Sequence, residues 1–515
     1  MTGKILWTIR IIYLWNQKMA SLLQSHFFFI ICCMLRFLVF ISFVSVVFFS
    51  CKESPPTYGD VLARGFEQKS YRDFDTAAYL KVFHDVYGKE KSQLLNPSWM
   101  KELSDSTEGM TLIAEHLFDG SIDTMLTYFE RSGEHGIRTS YFHTAAIKET
   151  LFSLRKLKAK DVAEAYPLLA KLDLLGTDGL VAYVSSLKYG VVNPKRLYGR
   201  YFVPQKRMNY SKVVHLLDSV KIGTVLADIQ PKNQYYSRFQ DLLQNGNLSS
   251  AQRSQVLMVL EKLRWMGEDF PEKYVFVNIP EQRLHIMEDG KTSQLMNVCV
   301  GETENPAYTR KGENHETPVM QGMLDAMQVN PVWNIPNSIV KKELLASVRN
   351  NPNYLVSRNM VAYYKGKQVD PATVNWNSDS VENFRFKQNP GSDNSLGNVK
   401  FLFENPYSIY LHDTPAKQMF GQSNRAVSHG CVRVEKPVDL ASYLVNNEKQ
   451  AEKIAKEITT DSISKSRWVT LKRQMPVYIT YYTTWLDDEG KIVTYPDIYG
   501  YDPRLKEALK KYWTN

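Results

Sequence analysis

Two hydrophobic periods divide the chain. From about residue 71 to 203, apolar residues recur at three- and four-residue spacing, as they do on amphipathic helices. Within it, 161–172 and 177–187 are predicted helices, broken by Gly176 and stopped at Gly190; Leu180, Val181, Val184 and Leu187 form the stripe of the second. Helices continue over 211–267, where Ser249 or Ser250 caps one that runs to Trp265 and stops at Gly267. At Tyr274 the period becomes two. Strands are predicted over 274–279, 283–287, 293–300, 319–329 and 399–403, with Asp289-Gly290 as a hairpin turn. Between Ile335 and Pro390 the strand signal lapses into a helix over 341–349 and polar loops, an insertion long enough for a lid or binding loop. Residues 408–412 alternate like a strand that Asp413-Thr414-Pro415 ends, and Ala426-Val427 leads into a tight turn at 428–431. Helices over 437–446 and 448–459, a strand over 477–485 and a last helix from Asp502 to Trp513 complete the pattern. The class is an α+β multidomain chain. A helical scaffold covers 71–268, a β-rich domain 273–485 with a capping insertion at 336–390, and a C-terminal extension 486–515 packs on that domain.

The N-terminus reads differently. Residues 27–50 are almost all apolar and long enough to span a bilayer, but Arg36 sits inside them. A start at Met34 would make Met34-Leu35-Arg36 a short basic region and 37–49 the apolar core of an export leader. Residues 1–50 are therefore expected to be a leader. Its end, Phe48-Phe49-Ser50-Cys51, resembles a bacterial lipoprotein cleavage site, which makes Cys51 a lipidation candidate and 51–70 a tether; a retained N-terminal anchor is the alternative.

At 515 residues the chain exceeds one compact core, and 44% hydrophobic with 12% aromatic residues is a globular composition. The formal charge of +9 includes Lys4, Arg10, Lys18 and Arg36; without them 59 basic residues face 54 acidic ones, or +5. That balance, with no basic helix or aromatic RNA motif, gives no reason to expect a nucleic-acid partner. His84, His116, His135 and His143 are scattered on the predicted helices and read as surface or packing residues.

Of the five cysteines, Cys32, Cys33 and Cys51 lie in or beside the leader. Cys299 sits in a predicted strand, where a packed thiol is ordinary. Cys431 differs, because His429 and Gly430 precede it and His412 lies nineteen residues upstream. Thiol chemistry needs a thiolate and a base or cation that generates it. It also needs backbone N–H groups free to meet an oxyanion, which Gly430 beside Cys431 could leave exposed.

The string Ser428-His429-Gly430-Cys431-x-Arg433 resembles the active-site signature of the L,D-transpeptidases of bacterial cell walls (the YkuD-type domain). The flanks resemble the scaffolded, YcbB-like branch: Thr317-Pro318-Val319, 330–336, Asn389-Pro390-Gly391, 394–397, Lys400-Phe401, 410–415, Phe420 and Arg425-Ala426 fall where its pattern would put them. The likeness spans roughly 170–515, including the Leu-Glu-x-Leu-Arg-Trp segment at 260–265. The helical wall-binding module that many relatives carry before that segment has no room here. The resemblance implies a cysteinyl enzyme acting on peptidoglycan tetrapeptide stems. Cys431 attacks the carbonyl of the third residue, D-alanine leaves, and an amine of a second stem resolves the thioester into a 3–3 cross-link. His412 would be the base, Gly430 would serve the oxyanion site, and Ser428, His429 and Arg433 would orient the centre. Tyr410, Trp333 and Arg425 are candidates for substrate contact. No metal or other cofactor is implied. The partners would be stem peptides as donor and acceptor and, through a lipid or anchor, a membrane; the location would be the periplasm-facing cell envelope. Three other functions compete: hydrolysis or amino-acid exchange at the same thioester, a zinc hydrolase using His412, His429 and Cys431, and a non-enzymatic wall-binding lipoprotein.

Overall fold

A computed structural model describes residues 57–106, 113–217, 221–266, 269–303, 315–351, 353–459 and 465–513. The expected leader, the lipidation candidate Cys51 and the start of the tether lie outside these residues. Among the described residues, no helix is long and apolar enough to cross a membrane.

The described residues fall into two compact units. The smaller holds 57–74 and 160–162. Its helix Tyr58–Gly65 begins at a capping box in which the Thr57 side chain accepts from the Asp60 N–H and the Asp60 carboxylate accepts from the Thr57 N–H.

The larger unit, 75–159 and 163 onward, contains the rest. Its helical part is organised on Tyr166–Tyr189, one continuous helix where two were expected. Gly176 does not break it. A Cβ there would lie 2.8 Å from the Ile113 side chain, and one on Gly179 would lie 2.7 Å from the Phe142 carbonyl oxygen. Both glycines let neighbours approach, and the contacts offset the roughly 1 kcal/mol that each costs inside a helix. The same helix buries two aspartates as receptors for loop ends. Asp173 accepts from the N–H groups of Ile113 (2.7 Å) and Ala114 (2.6 Å), and Asp178 from those of Leu95 (2.7 Å) and Asn96 (2.9 Å). Two of the scattered histidines serve packing: His143 binds Asp178 at 2.8 Å, and His135 is buried against Tyr236.

Helix Ser250–Met266 joins this part to the sheet, with the Ser249 hydroxyl accepting from the Gln252 N–H. Its buried Glu261 is a hub. The carboxylate takes the Arg264 guanidinium (2.7 Å), the Trp265 indole N–H (2.9 Å) and the Val192 N–H (2.8 Å).

The strands are β1 Lys273–Asn278, β2 Arg283–Glu288, β3 Lys291–Gly301, β4 Met320–Val329, β5 Trp333–Asn334, β6 Met360–Tyr364, β7 Lys367–Val369 and β8 Phe384–Gln388. They continue with β9 Val399–Phe403, β10 Leu411–His412, β11 Ala426–Ser428, β12 Val432–Val434, β13 Arg467–Thr480, β14 Thr484–Leu486 and β15 Ile492–Thr494. The large sheet runs β11-β3-β12-β10-β9-β4-β13-β1-β2, and a further β2–β3 pairing returns it on itself. Its inner face carries the core, among it Val275, Ile286, Val298, Phe401, Leu411 and Val432. Helices Pro437–Val445, Glu448–Thr459 and Tyr501–Leu509 add side chains to that core. The period-two segments of the sequence are these strands, although β13 starts ten residues before the expected 477 because 467–476 pairs along β4.

The insertion departs from expectation. In place of polar loops it holds the four-stranded sheet β5-β8-β6-β7 and a core of its own, including Ile335, Val348, Leu355, Trp376, Phe384 and Phe386. Its hairpin turns on Lys365 (φ 49) and Gly366 (φ 79), left-handed at both positions, and a lysine there is not the usual signal. Residues Val340–Leu344 form a π-helical turn.

Removing the Glu261 carboxylate should leave the Arg264 guanidinium buried and unpaired. Glu261→Ala is expected to cost about 3–5 kcal/mol in denaturant unfolding, the scale for breaking a buried pair; a loss below 1 kcal/mol would show that the hub contributes little.

Candidate active site

Strand register assembles the site. Lys400 on β9 lies opposite His412 on β10, His412 opposite Arg433 on β12, and Arg433 opposite Cys299 on β3. Paired side chains share a face. Since their neighbours Phe401, Leu411, Val432 and Val298 fill the core, these four residues form a row on the outer face. Tyr410 and Cys431 sit on that same face, each two positions before a member of the row.

Cys431 follows a turn that only glycine allows, with Gly430 at φ +112. Three bonds fix the turn. The Ser428 hydroxyl accepts from the Gly430 N–H (3.1 Å) and donates to the Cys431 carbonyl (2.6 Å). The Thr317 hydroxyl donates to the Gly430 carbonyl (2.9 Å) while accepting from the Gly301 N–H (2.7 Å). The Gly430 N–H is therefore committed to Ser428. Among the described residues, the Cys431 N–H has no protein acceptor and is the donor open to a developing oxyanion.

His412 is buried, and its Nδ1 meets the Asp413 carbonyl. A carbonyl only accepts, so Nδ1 carries the proton and the Nε2 lone pair is left for a base. Asp413 is itself held: its carboxylate accepts from the N–H groups of Thr414 (2.7 Å) and Asn398 (2.9 Å) and from Lys417. Burial, with Arg433 beside it, pushes the His412 imidazole down to about 3. Burial pushes the half-buried Cys431 thiol up to about 11, against hydrogen bonds from Tyr410 and the charges of Arg433 and Lys400. At neutral pH both groups are uncharged. No hydrogen bond joins them among the described residues; the thiol is turned toward the Ser408 carbonyl at 3.8 Å. Ser408 (φ 54) is presented by a loop that Asn405 ties, its side chain bonding Phe403, Tyr407 and Ile409.

Three expected residues gather around the thiol and two do not. The Tyr410 hydroxyl bonds Cys431 and is in turn bonded by Trp333, which reaches over from the insertion. The Arg433 guanidinium lies against the Met419 sulfur. Arg425, by contrast, donates to the carbonyls of Val298, Gln422 and Gln282, and lines a different cavity. His429 does not point at the thiol either. Its Nε2 meets Glu343 of the insertion's π-turn at 2.5 Å, and its ring centroid is 4.8 Å from that of His315. Among the described residues, no set of histidine, cysteine and carboxylate side chains converges as metal ligands do. Asn405, Ser408 and Glu343 escape sequence reasoning, since each is a polar residue in a polar stretch. Thr317 is signalled only by its place in the family pattern.

Residues 272–479 match the L,D-transpeptidase catalytic domain, and residues 110–243 match the scaffold domain. Residues 272–479 are thus similar to L,D-transpeptidase catalytic domains. A Haemophilus influenzae protein named "Putative L,D-transpeptidase" is 37% identical over 246 residues, which cover 46% of this chain and 47% of that protein. The chain thus spans about half the length of this curated relative. Two solved structures are similar at a TM-score of 0.19 each. One is an L,D-transpeptidase from Mycobacterium smegmatis, with 13% identity over 41% of this chain and 60% of that one. The other is the Ldtfm–avibactam carbamoyl enzyme, with 10% identity over 58% and 96%. The matched residues carry the Cys431 turn, the His412 strand, Trp333 and the insertion that holds Glu343.

The protonation states give a pH test. Alkylation of Cys431 by iodoacetamide should rise about tenfold per pH unit from about pH 7 to 10, because a thiol near 11 exposes its thiolate in proportion to hydroxide. A plateau below about pH 8 would mean that a thiolate–imidazolium pair already exists in the free protein.

Proposed function

We propose that the domain forms 3–3 peptidoglycan cross-links through a thioester on Cys431. A donor tetrapeptide binds under the insertion with the carbonyl of its third residue over the Cys431 N–H. The thiol rotates from Ser408 toward His412, and the sulfur attacks as Nε2 takes its proton. The Cys431 N–H receives the developing oxyanion. Collapse breaks the peptide bond, and the His412 proton goes to the departing amine of D-alanine. The side-chain amine of a second stem then attacks the thioester, gives up a proton to His412 and, as the new amide forms, releases the Cys431 sulfur, which is reprotonated. The observation that carries this reading is the Cys431 N–H, without a protein acceptor among the described residues, on the same outer face as a neutral imidazole whose tautomer Asp413 fixes. Tyr410 supports it as a hydroxyl that can donate to the sulfur while the thiolate forms.

The same proposal places the chain in the cell envelope, attached through a lipid on Cys51. Cys51→Ala should abolish palmitate labelling; labelling that persists would remove the lipoprotein part and leave the chemistry untouched.

For the chemistry, Cys431→Ala should abolish thioester formation and turnover on tetrapeptide stems, read by mass spectrometry of muropeptides. His412→Ala should keep the fold and slow acylation by about two orders of magnitude or more, the scale for losing a general base. By the family resemblance a carbapenem adduct should map to Cys431. An adduct mapped elsewhere, or cross-linking by Cys431→Ala, would overturn the assignment. Release of D-alanine without cross-links would favour the hydrolytic alternative.

A further inference from the structure

A cavity of about 670 Å³ in the larger unit lies away from the thiol. It opens on the outer face of β1, β2 and β3, between helix Gln234–Asn245 and the β14–β15 hairpin. Its floor is apolar, from Tyr274, Phe276 and Trp485, all nearly inaccessible, so the walls decide what it can bind. The acidic residues of the walls are already engaged. Glu281 takes His285 at 3.0 Å and the Tyr495 hydroxyl, Asp487 accepts from the Lys491 N–H at 2.7 Å, and Asp488 takes the Thr292 hydroxyl at 3.4 Å. Arg425 already donates to three backbone carbonyls. That leaves Arg238, Arg283 and Lys291. All three are exposed, and none has an ion-pair partner among the described residues. The cavity offers a ligand three cations without an ion-pair partner among the described residues, beside three carboxylates that already accept hydrogen bonds.

Its place on the sheet is informative. Arg283 pairs with Asn297 of β3, and β3 pairs with β12 through Cys299 and Arg433. Cys431 therefore lies two strands across from Arg283 and about four residues along, on the same outer face. At about 4.8 Å per strand and 3.3 Å per residue, the backbones are about 16 Å apart. An extended peptide of four residues spans about 13–14 Å, and the side chain of a diamino acid adds several more.

We propose that this cavity is the docking site for the second, acceptor stem. The stem's carboxylates would pair with Arg238, Arg283 and Lys291, while its side-chain amine reaches the thioester on Cys431. A peptide of this chemistry carries both carboxylates to pair with the three cations and the nucleophile the thioester needs. The assignment rests on the thioester reading and adds to it what decides between cross-linking and hydrolysis: with the cavity occupied, the amine is held beside the acyl group, and with it empty, water resolves the thioester. Effective concentration of the amine is the physical lever.

The test is the Arg238→Glu/Arg283→Glu/Lys291→Glu chain, with the three glutamine substitutions as a neutral comparison. All three side chains are exposed, and an unchanged Tm checks the fold. On tetrapeptide stems the ratio of cross-linked dimer to hydrolysed tripeptide should fall at least tenfold, while the thioester still forms on Cys431. In parallel, tetrapeptide is titrated calorimetrically into full-length Cys431→Ala with and without the charge reversals. The native cavity should give a second, salt-sensitive binding event that the reversals weaken about tenfold. An unchanged product ratio, or an identical isotherm, overturns the assignment. If no chain forms a thioester, the catalytic reading fails and the isotherm alone decides the cavity.

Discussion

The constraint that everything else follows from is the closure of the large sheet by the β2–β3 pairing. Side chains alternate along a strand, so once Val298, Phe401, Leu411 and Val432 are committed to the enclosed core, their neighbours have no choice of face. Lys400, His412, Arg433 and Cys299 must emerge in one row on the outside, with Tyr410 and Cys431 beside them. A slip of one residue in β10 or β12 would bury the imidazole or the guanidinium in the core and expose Leu411 or Val432. The apolar core thus fixes the polar site, and it does so through short strands: β10 has two residues and β12 three.

Strands that short cannot hold register by backbone bonds alone. Buried polar side chains supply the remainder. Asn405 ties the loop before β10, Asp413 the segment after it, and Ser428 with Thr317 the turn before β12. Each satisfies backbone groups that would otherwise be orphaned, and an orphaned buried group costs about 1–3 kcal/mol. Glu261 plays the same part where the helical region meets the sheet. Gly397 reveals how tight the packing is: a Cβ there would lie 2.4 Å from the Asp413 carboxylate.

Much of this was legible in the sequence. The change of period at Tyr274 located the α+β division, and the Ser428–Arg433 string located the thiol. What was not legible involved three-dimensional compensation. Gly176 looks like a helix breaker because sequence reasoning prices the lost side chain and cannot see Ile113 filling its place. The insertion looks like polar loops because its strands are three to five residues long and its turn uses Lys365. Arg425 and His429 carry the right chemistry and the right spacing to the thiol. The bonds they make, to three carbonyls and to Glu343, are set by elements distant in sequence.

The electrostatics of the site bear on its control. A thiol near 11 beside an imidazole near 3 is a poor nucleophile beside a weak base, and at rest the pair does nothing. Both displacements come chiefly from burial, which penalises whichever form is charged. In the proposed reaction, attack on a carbonyl avoids part of that penalty. As the bond forms, negative charge passes from sulfur to the substrate oxygen at the open Cys431 N–H, while the positive charge on His412 appears on the same outer face. Proton transfer is then coupled to the presence of a correctly seated donor, and a thiol kept protonated reacts slowly with adventitious electrophiles. The insertion adds a second condition, because Trp333 reaches the thiol's hydroxyl partner Tyr410 and Glu343 holds the turn through His429. In the proposed reaction, activation of the thiol and positioning of the insertion therefore share the same few residues.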